Sequence, residues 1–274
     1  MGTGMRMDRR AIVAVAALLA LSCGGAPAAG APAPVVTPDS SGLILLPAPV
    51  ESLQVLPTEP LVPTVPRAEL PRGWNDLDTN SVRIPLLVAT TRNYINADWP
   101  GNRFGTTDAN TLSWAVAQVN VPSYRVRAEG VIPRASAADS PDAARTMYIN
   151  SLILADSVRF LQRVRDDLAR TRSRDILVFV HGYNSSFEDA AVRVAQIAAD
   201  MGFDGTAILF AWPSQGALSG YIRDQQTARN AGWHLLRLLR DQLPRANPDR
   251  IHVIAHSMGS EVLSKAMSLI DPRD

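Results

Sequence analysis

The run Ile251-His252-Val253-Ile254-Ala255-His256-Ser257-Met258-Gly259-Ser260 places a serine between two small residues, Ala255 and Gly259, where an apolar β-type stretch gives way to a helical one. A strand that bends sharply into a helix holds its serine in a constrained backbone conformation, clear of the sheet, and small flanking residues are what such a bend needs. The helix start aims N–H groups at the point where negative charge develops when a hydroxyl attacks a carbonyl. The chemistry this suggests is acyl transfer through Ser257, with Met258 N–H as an oxyanion donor. A serine also needs a base, and behind such a bend the chain order is serine, then an acid, then a histidine. His181, His234, His252 and His256 all precede Ser257, and none follows it before Asp274. Glu261, Asp271 and Asp274 come late enough but have no histidine after them to orient. His256 is expected to point away from so tight a turn, and His234 to be a surface or boundary residue of a helix. His252 and His256, four apart with no third ligand near in sequence, predict no metal site.

The elements around these residues set their positions. Residues 84–90 and 114–121 are β-favouring stretches that should pair antiparallel across a Gly/Asn/Asp-rich loop. Leu154, Val158, Leu161, Val164 and Leu168 recur at helical spacing. Residues 176–180 form a continuous apolar run suited to a parallel strand covered on both faces. A helix should follow, opened by a capping box of Ser185 and Glu188 and buried along Phe187, Ala191, Val194, Ala198 and Met201, with Gly202 ending it. Residues 207–211 and 251–255 read as the next two strands, separated by a helix over 228–243 that stops at Pro244. Three strand–helix units in series predict an α/β fold with a mostly parallel sheet flanked by helices. Ligands then sit beyond the carboxyl ends of the strands, where His181 and Ser257 lie.

The strand-His181-Gly182-Tyr183-Asn184 loop, Phe210-Ala211-Trp212-Pro213-Ser214 and Ala255-His256-Ser257-Met258-Gly259, taken in order, resemble an α/β-hydrolase. In particular they resemble a bacterial group of α/β-hydrolases of unknown function, from about residue 175 to 270 and more weakly over 84–121. The resemblance implies a serine hydrolase acting on a small-molecule or lipid-like ester, thioester or amide. It places Ser257 in the nucleophile elbow with Ala255, His256 and Gly259, and the oxyanion hole at Met258 N–H and Tyr183 N–H. His181, Gly182 and Asn184 become the oxyanion loop, with His181 shaping the loop rather than acting as base. Trp212, Pro213 and Tyr221 either line an acyl pocket or, for Trp212, cap the core. No cofactor and no metal is implied. The same resemblance would have further strands follow residue 255, so the domain is expected to be truncated after the nucleophile helix, leaving an open apolar sheet edge. An inactive hydrolase-fold lipoprotein used as a binding module is the alternative that the missing histidine favours.

Upstream, Arg6, Arg9 and Arg10 precede the short apolar run 11–21, which reads as a secretory signal rather than a permanent span. Ala20-Leu21-Ser22-Cys23 resembles a bacterial lipobox, with Cys23 as the lipid-carrying residue. An ordinary cleavage near 26–31 is the other reading. The organisation expected is residues 1–23 as signal, 24–72 as a Pro-rich linker and 73–274 as the hydrolase domain, exported and held at the cell envelope or released to the periplasm or medium. A hydrophobic content of 46% is ample for a core, and a net charge of +1 provides no field that would draw nucleic acid.

Overall fold

The computed structural model describes residues 12–15, 81–123, 141–215 and 220–270. Cys23, the linker and Asp271 to Asp274 lie outside them. The strands are β1 (Ile12–Val15), β2 (Ser81–Tyr94), β3 (Phe104–Pro122), β4 (Tyr148–Ala155), β5 (Asp175–Val180), β6 (Thr206–Ala211) and β7 (Arg250–Ala255). They form one sheet in the order β1-β7-β5-β6-β2-β3-β4. From β1 to β2 neighbours run parallel; β2, β3 and β4 are antiparallel. The expected mostly parallel sheet is therefore present.

The helices are α1 (Ser157–Leu168), α2 (Phe187–Asp200), α3 (Tyr221–Leu236) and α4 (Gly259–Ser268). Strand alternation divides the core into two layers. Ile176, Val178 and Val180 of β5, with Ile208 and Phe210 of β6, pack with α1, α3 and α4. Phe179, Ala207 and Leu209 turn to the other face and pack under α2, against Phe187, Ala191, Val194 and Ala198. The chain enters β6 from β5 through α2, then crosses back over β5 into β7 and leaves through α4 on the opposite face. The carboxyl ends of β5 and β7 thus diverge into helices on opposite sides of the sheet, and this divergence opens a crevice.

Several elements differ from expectation for identifiable reasons. Leu154 belongs to β4, not to a helix, and is exposed; α1 begins only after Asp156, whose side chain accepts from the N–H of Val158 and Arg159. With the start moved, Val158 faces solvent and the buried face is Phe160, Leu161, Val164 and Leu168. The α2 capping box lies one residue later than expected, formed by Ser186 and Asp189. Glu188 instead takes the Trp99 indole N–H at 2.9 Å, tying α2 to the loop after β2. Met201 is exposed, and Gly202 follows α2 with a φ of 56°, the left-handed conformation that ends helices. The third helix starts at Tyr221, well before residue 228, and continues past Leu236 into a wider turn at Arg237–Gln242 and a tight one at Leu243–Ala246 that contains Pro244. His234 is buried, not a surface residue, and its Nδ1 has no partner among the described residues. Nor is the outer edge of β7 open, since Ile12–Val15 pairs with Ile251–Ile254 in parallel register and satisfies the backbone there.

Candidate active site

The bend after β7 has the geometry that its residues suggest. Ser257 has a φ of 51°, the left-handed conformation that side chains other than glycine rarely adopt and that costs about 1–2 kcal/mol. Three features hold it there. The His256 N–H donates to Val180 O at 2.9 Å, extending the β5–β7 ladder by one rung into the bend. The N–H groups of Gly259 and Ser260 donate to His256 O and Ser257 O, both at 2.9 Å, winding the chain straight into α4. Gly259 allows α4 to start against the end of β5, since a Cβ there would stand 2.5 Å from Val180 O and 2.6 Å from His181 O. The small residue four positions after Ala255 is thus a packing requirement. Ala255 and Met258 are buried, whereas His256 and Ser257 are exposed at the crevice.

The loop after β5 stands directly beside this bend. A Cβ on Gly182 would lie 2.9 Å from Ser257 Cβ and 2.8 Å from His256 Nδ1, so the glycine lets the two loops touch. His256 does not point away as expected; its ring lies over Gly182. Burial, and then the Arg193 guanidinium, lower its pKa. Tyr183 and Asn184 make the following turn, with Asn184 at a φ of 55°, which asparagine tolerates better than most residues. The structure therefore brings together Ser257, Met258, Gly259, His181, Gly182 and Tyr183. Glu261 does not join them: its carboxylate faces Arg229 and Gln225 of α3. His252 lies near the other end of β7, against Asp175 at 3.2 Å.

His181 fastens this loop to the end of β6. Its ring stacks on Trp212 with centroids 5.1 Å apart and planes 6° from parallel. The Trp212 indole N–H donates to His181 O at 2.7 Å, while His181 Nε2 meets Trp212 O and Nδ1 meets Gly182 O, each at 2.9 Å. Burial first, and then the Arg92 cation, depress its pKa to about 3, so the imidazole is neutral at physiological pH. Trp212 is completely buried; of its two expected roles it takes that of core cap. Tyr221 is half exposed and meets the ring of Tyr183 edge-on at 5.3 Å.

Two charged residues of this region have no counterpart in the sequence reading. Arg92, near the end of β2, and Asp224, in the first turn of α3, are both fully buried. Arg92 donates from Nη2 to Ser185 O at 2.7 Å and from Nη1 to Gly105 O at 2.8 Å and Ser214 O at 3.4 Å. Asp224 accepts from Ser214 Oγ at 2.6 Å and from the Gln215 N–H at 2.9 Å. An arginine just past an apolar strand and an aspartate in a polar helical turn both look like solvated surface. The one available signal is that Thr90-Thr91-Arg92 prolongs an apolar strand toward the end of the sheet that carries the site.

Among the described residues no group of three or more His, Cys, Asp or Glu is placed to hold a metal ion. Residues 157–274 match the family model described as alpha/beta hydrolase of unknown function (DUF900). No curated protein and no solved structure matches the chain. The matched segment contains the β5 loop, the end of β6 and the bend at Ser257; it is similar to the α/β-hydrolase superfamily, and the mostly parallel sheet flanked by helices has that superfamily's fold.

Proposed function

We propose that this protein is a serine hydrolase that transfers an acyl group from an ester, thioester or amide to Ser257 and then to water. The observation that carries the reading is the left-handed Ser257 at a strand-to-helix bend, exposed and in contact range of Gly182. In the first step the Ser257 Oγ forms a bond to the acyl carbon. Its proton passes to a general base and on to the leaving group, whose bond to the acyl carbon breaks. In the second step water attacks the acyl-serine and returns the hydroxyl. Met258 N–H suits the developing oxyanion because it directly follows the nucleophile at the start of α4, while the amides of His256, Gly259, Ser260 and Glu261 donate to carbonyls. Tyr183 N–H, next to Gly182, is the proposed second donor. His181 is not the base, because its ring nitrogens are turned to Trp212 O and Gly182 O in the core.

A second reading, an inactive hydrolase-fold binding module, is favoured by one observation: among the described residues no imidazole or carboxylate is hydrogen-bonded to Ser257. A fluorophosphonate probe applied to the full-length natural product separates the two. The hydrolase reading expects label that disappears in Ser257→Ala; equal labelling of the two proteins, or none, refutes it. The leader supports export with lipid attachment at Cys23, and Cys23→Ala should then release the protein from the membrane fraction. Cleavage ahead of Cys23 would remove β1 and open the outer edge of β7 to another strand.

A further inference from the structure

We propose that Arg92 and Asp224 are positioning residues that hold the β5 loop and the β6 loop in the conformation that aligns Tyr183 N–H with Ser257. The inference rests on the serine hydrolase reading. Loop 181–185 is fixed at its start by the His181–Trp212 pair. Its far end, Ser185, immediately precedes the Ser186 cap of α2, and there the fixing contact is Arg92 Nη2 to Ser185 O at 2.7 Å. The same guanidinium reaches Ser214 O, two residues beyond Trp212, and Gly105 O on β3. One buried side chain from β2 therefore ties three separate segments together at the end of the sheet that carries Ser257.

Asp224 completes the arrangement through a single peptide group. The C=O of Ser214 faces Arg92 while the N–H of the same peptide, on Gln215, faces Asp224. The peptide dipole is thus inserted between a cation and an anion, each stabilised by the end that faces it, and Ser214 Oγ adds a second bond to the carboxylate at 2.6 Å. Arg92 stays cationic at neutral pH, its pKa lowered by burial to about 10 against the opposing pull of Asp224. Replacing buried charges by apolar residues of similar volume is often neutral or stabilising, and Arg92 Nε remains without a partner among the described residues. Such a pair is a poor device for stability alone. It is a good one for fixing the direction of carbonyls, which apolar packing does not do.

The test compares full-length wild type with Arg92→Met and Arg92→Lys, using the rate of fluorophosphonate labelling at Ser257 and hydrogen exchange of backbone amides. Misalignment of an oxyanion donor lowers reactivity by about 10²-fold. Arg92→Met should label about that much more slowly and exchange faster at residues 182–186 and 213–215, while β7 amides stay protected. Arg92→Lys, which keeps the charge but reaches fewer carbonyls, should recover part of the rate. A folded Arg92→Met that labels at the wild-type rate with unchanged exchange in those loops overturns the proposal. Absence of label on wild type overturns the hydrolase reading instead, and the exchange measurement then decides whether Arg92 holds the loops. If Arg92→Met does not fold, Asp224→Asn replaces it with the same expected direction in both readouts, since it weakens the grip on Ser214 and Gln215.

Discussion

The buried His181 makes the stability of this protein depend on pH in a calculable way. The unfolded chain binds a proton to this ring near the ordinary histidine value of 6.5, whereas the folded chain resists it until about 3. A depressed folded pKa contributes stability that is fully present above the unfolded value and is lost as pH falls toward the folded one. Between those limits the loss is about 1.4 kcal/mol per pH unit, so lowering pH from about 7.5 to about 5 removes roughly 2 kcal/mol through this ring alone. His234 and His256, whose pKa values are also lowered by burial, act in the same direction; Asp167, raised mainly by burial, acts in the opposite one. The comparison must therefore be differential. His181→Gln keeps a neutral donor for Trp212 O and removes the titration. Urea unfolding of wild type and variant at the two pH values should show wild type losing about 2 kcal/mol more than the variant. Equal losses would refute the assignment of a buried, neutral imidazole at the end of β5.

The glycines and the bend give further expectations. Gly259→Ala should lower unfolding free energy by about 1–3 kcal/mol, because the new Cβ meets backbone oxygens that cannot withdraw without shifting α4; chemical denaturation measures this. Gly182→Ala separates the β5 loop from Ser257 and should slow probe labelling far more than it lowers melting temperature. Ser257→Gly relieves the positive φ and should be more stable than Ser257→Ala by about 1 kcal/mol, a difference visible in paired thermal melts. Asp156→Ala removes the α1 cap and should cost about 1 kcal/mol with no change in labelling rate.

The parallel part of the fold was legible because β5 and β6 are covered on both faces and so appear as short, unbroken apolar runs bounded by turn residues. The bend was legible for a related reason: its geometry admits few residue types, and Ala255, Ser257 and Gly259 satisfy it together. Where a face is half exposed the signal fails. Leu154 and Val158 continue a helical spacing but belong to β4 and to the solvent side of α1, because Asp156 interposes a cap. The α2 cap was misplaced by one residue because Ser185 and Ser186 are both able caps; the difference lies in the use of Ser185 O by Arg92 and of Glu188 by Trp99. Arg92 and Asp224 were illegible because a charge buried among hydrogen-bonding partners and a charge in water look the same along a chain. Only the convergence of β2, the β6 loop and α3 distinguishes them.

That convergence bears on why the serine stays strained. A single left-handed serine would relax if either neighbouring loop could move, and the bend supplies only backbone bonds to β5 and α4 to resist this. The β5 loop that abuts it is anchored at one end by a neutral imidazole stacked on Trp212 and at the other by a guanidinium on Ser185 O. Both anchors lead to the same short segment, Trp212 to Ser214, so displacing the loop from Ser257 means breaking contacts made through β6 as well as through β2. At the opposite end of the sheet Asp175 meets His252 Nε2 at 3.2 Å and the exposed Arg250 guanidinium at 3.9 Å, the latter an ordinary surface pair. Loop carbonyls are gripped at that end too, by Arg174 on Ala246 O and Asn247 O, but from a part-exposed side chain; what sets the Ser257 end apart is that its guanidinium is fully buried and joins the loop beside a strained hydroxyl to two other segments.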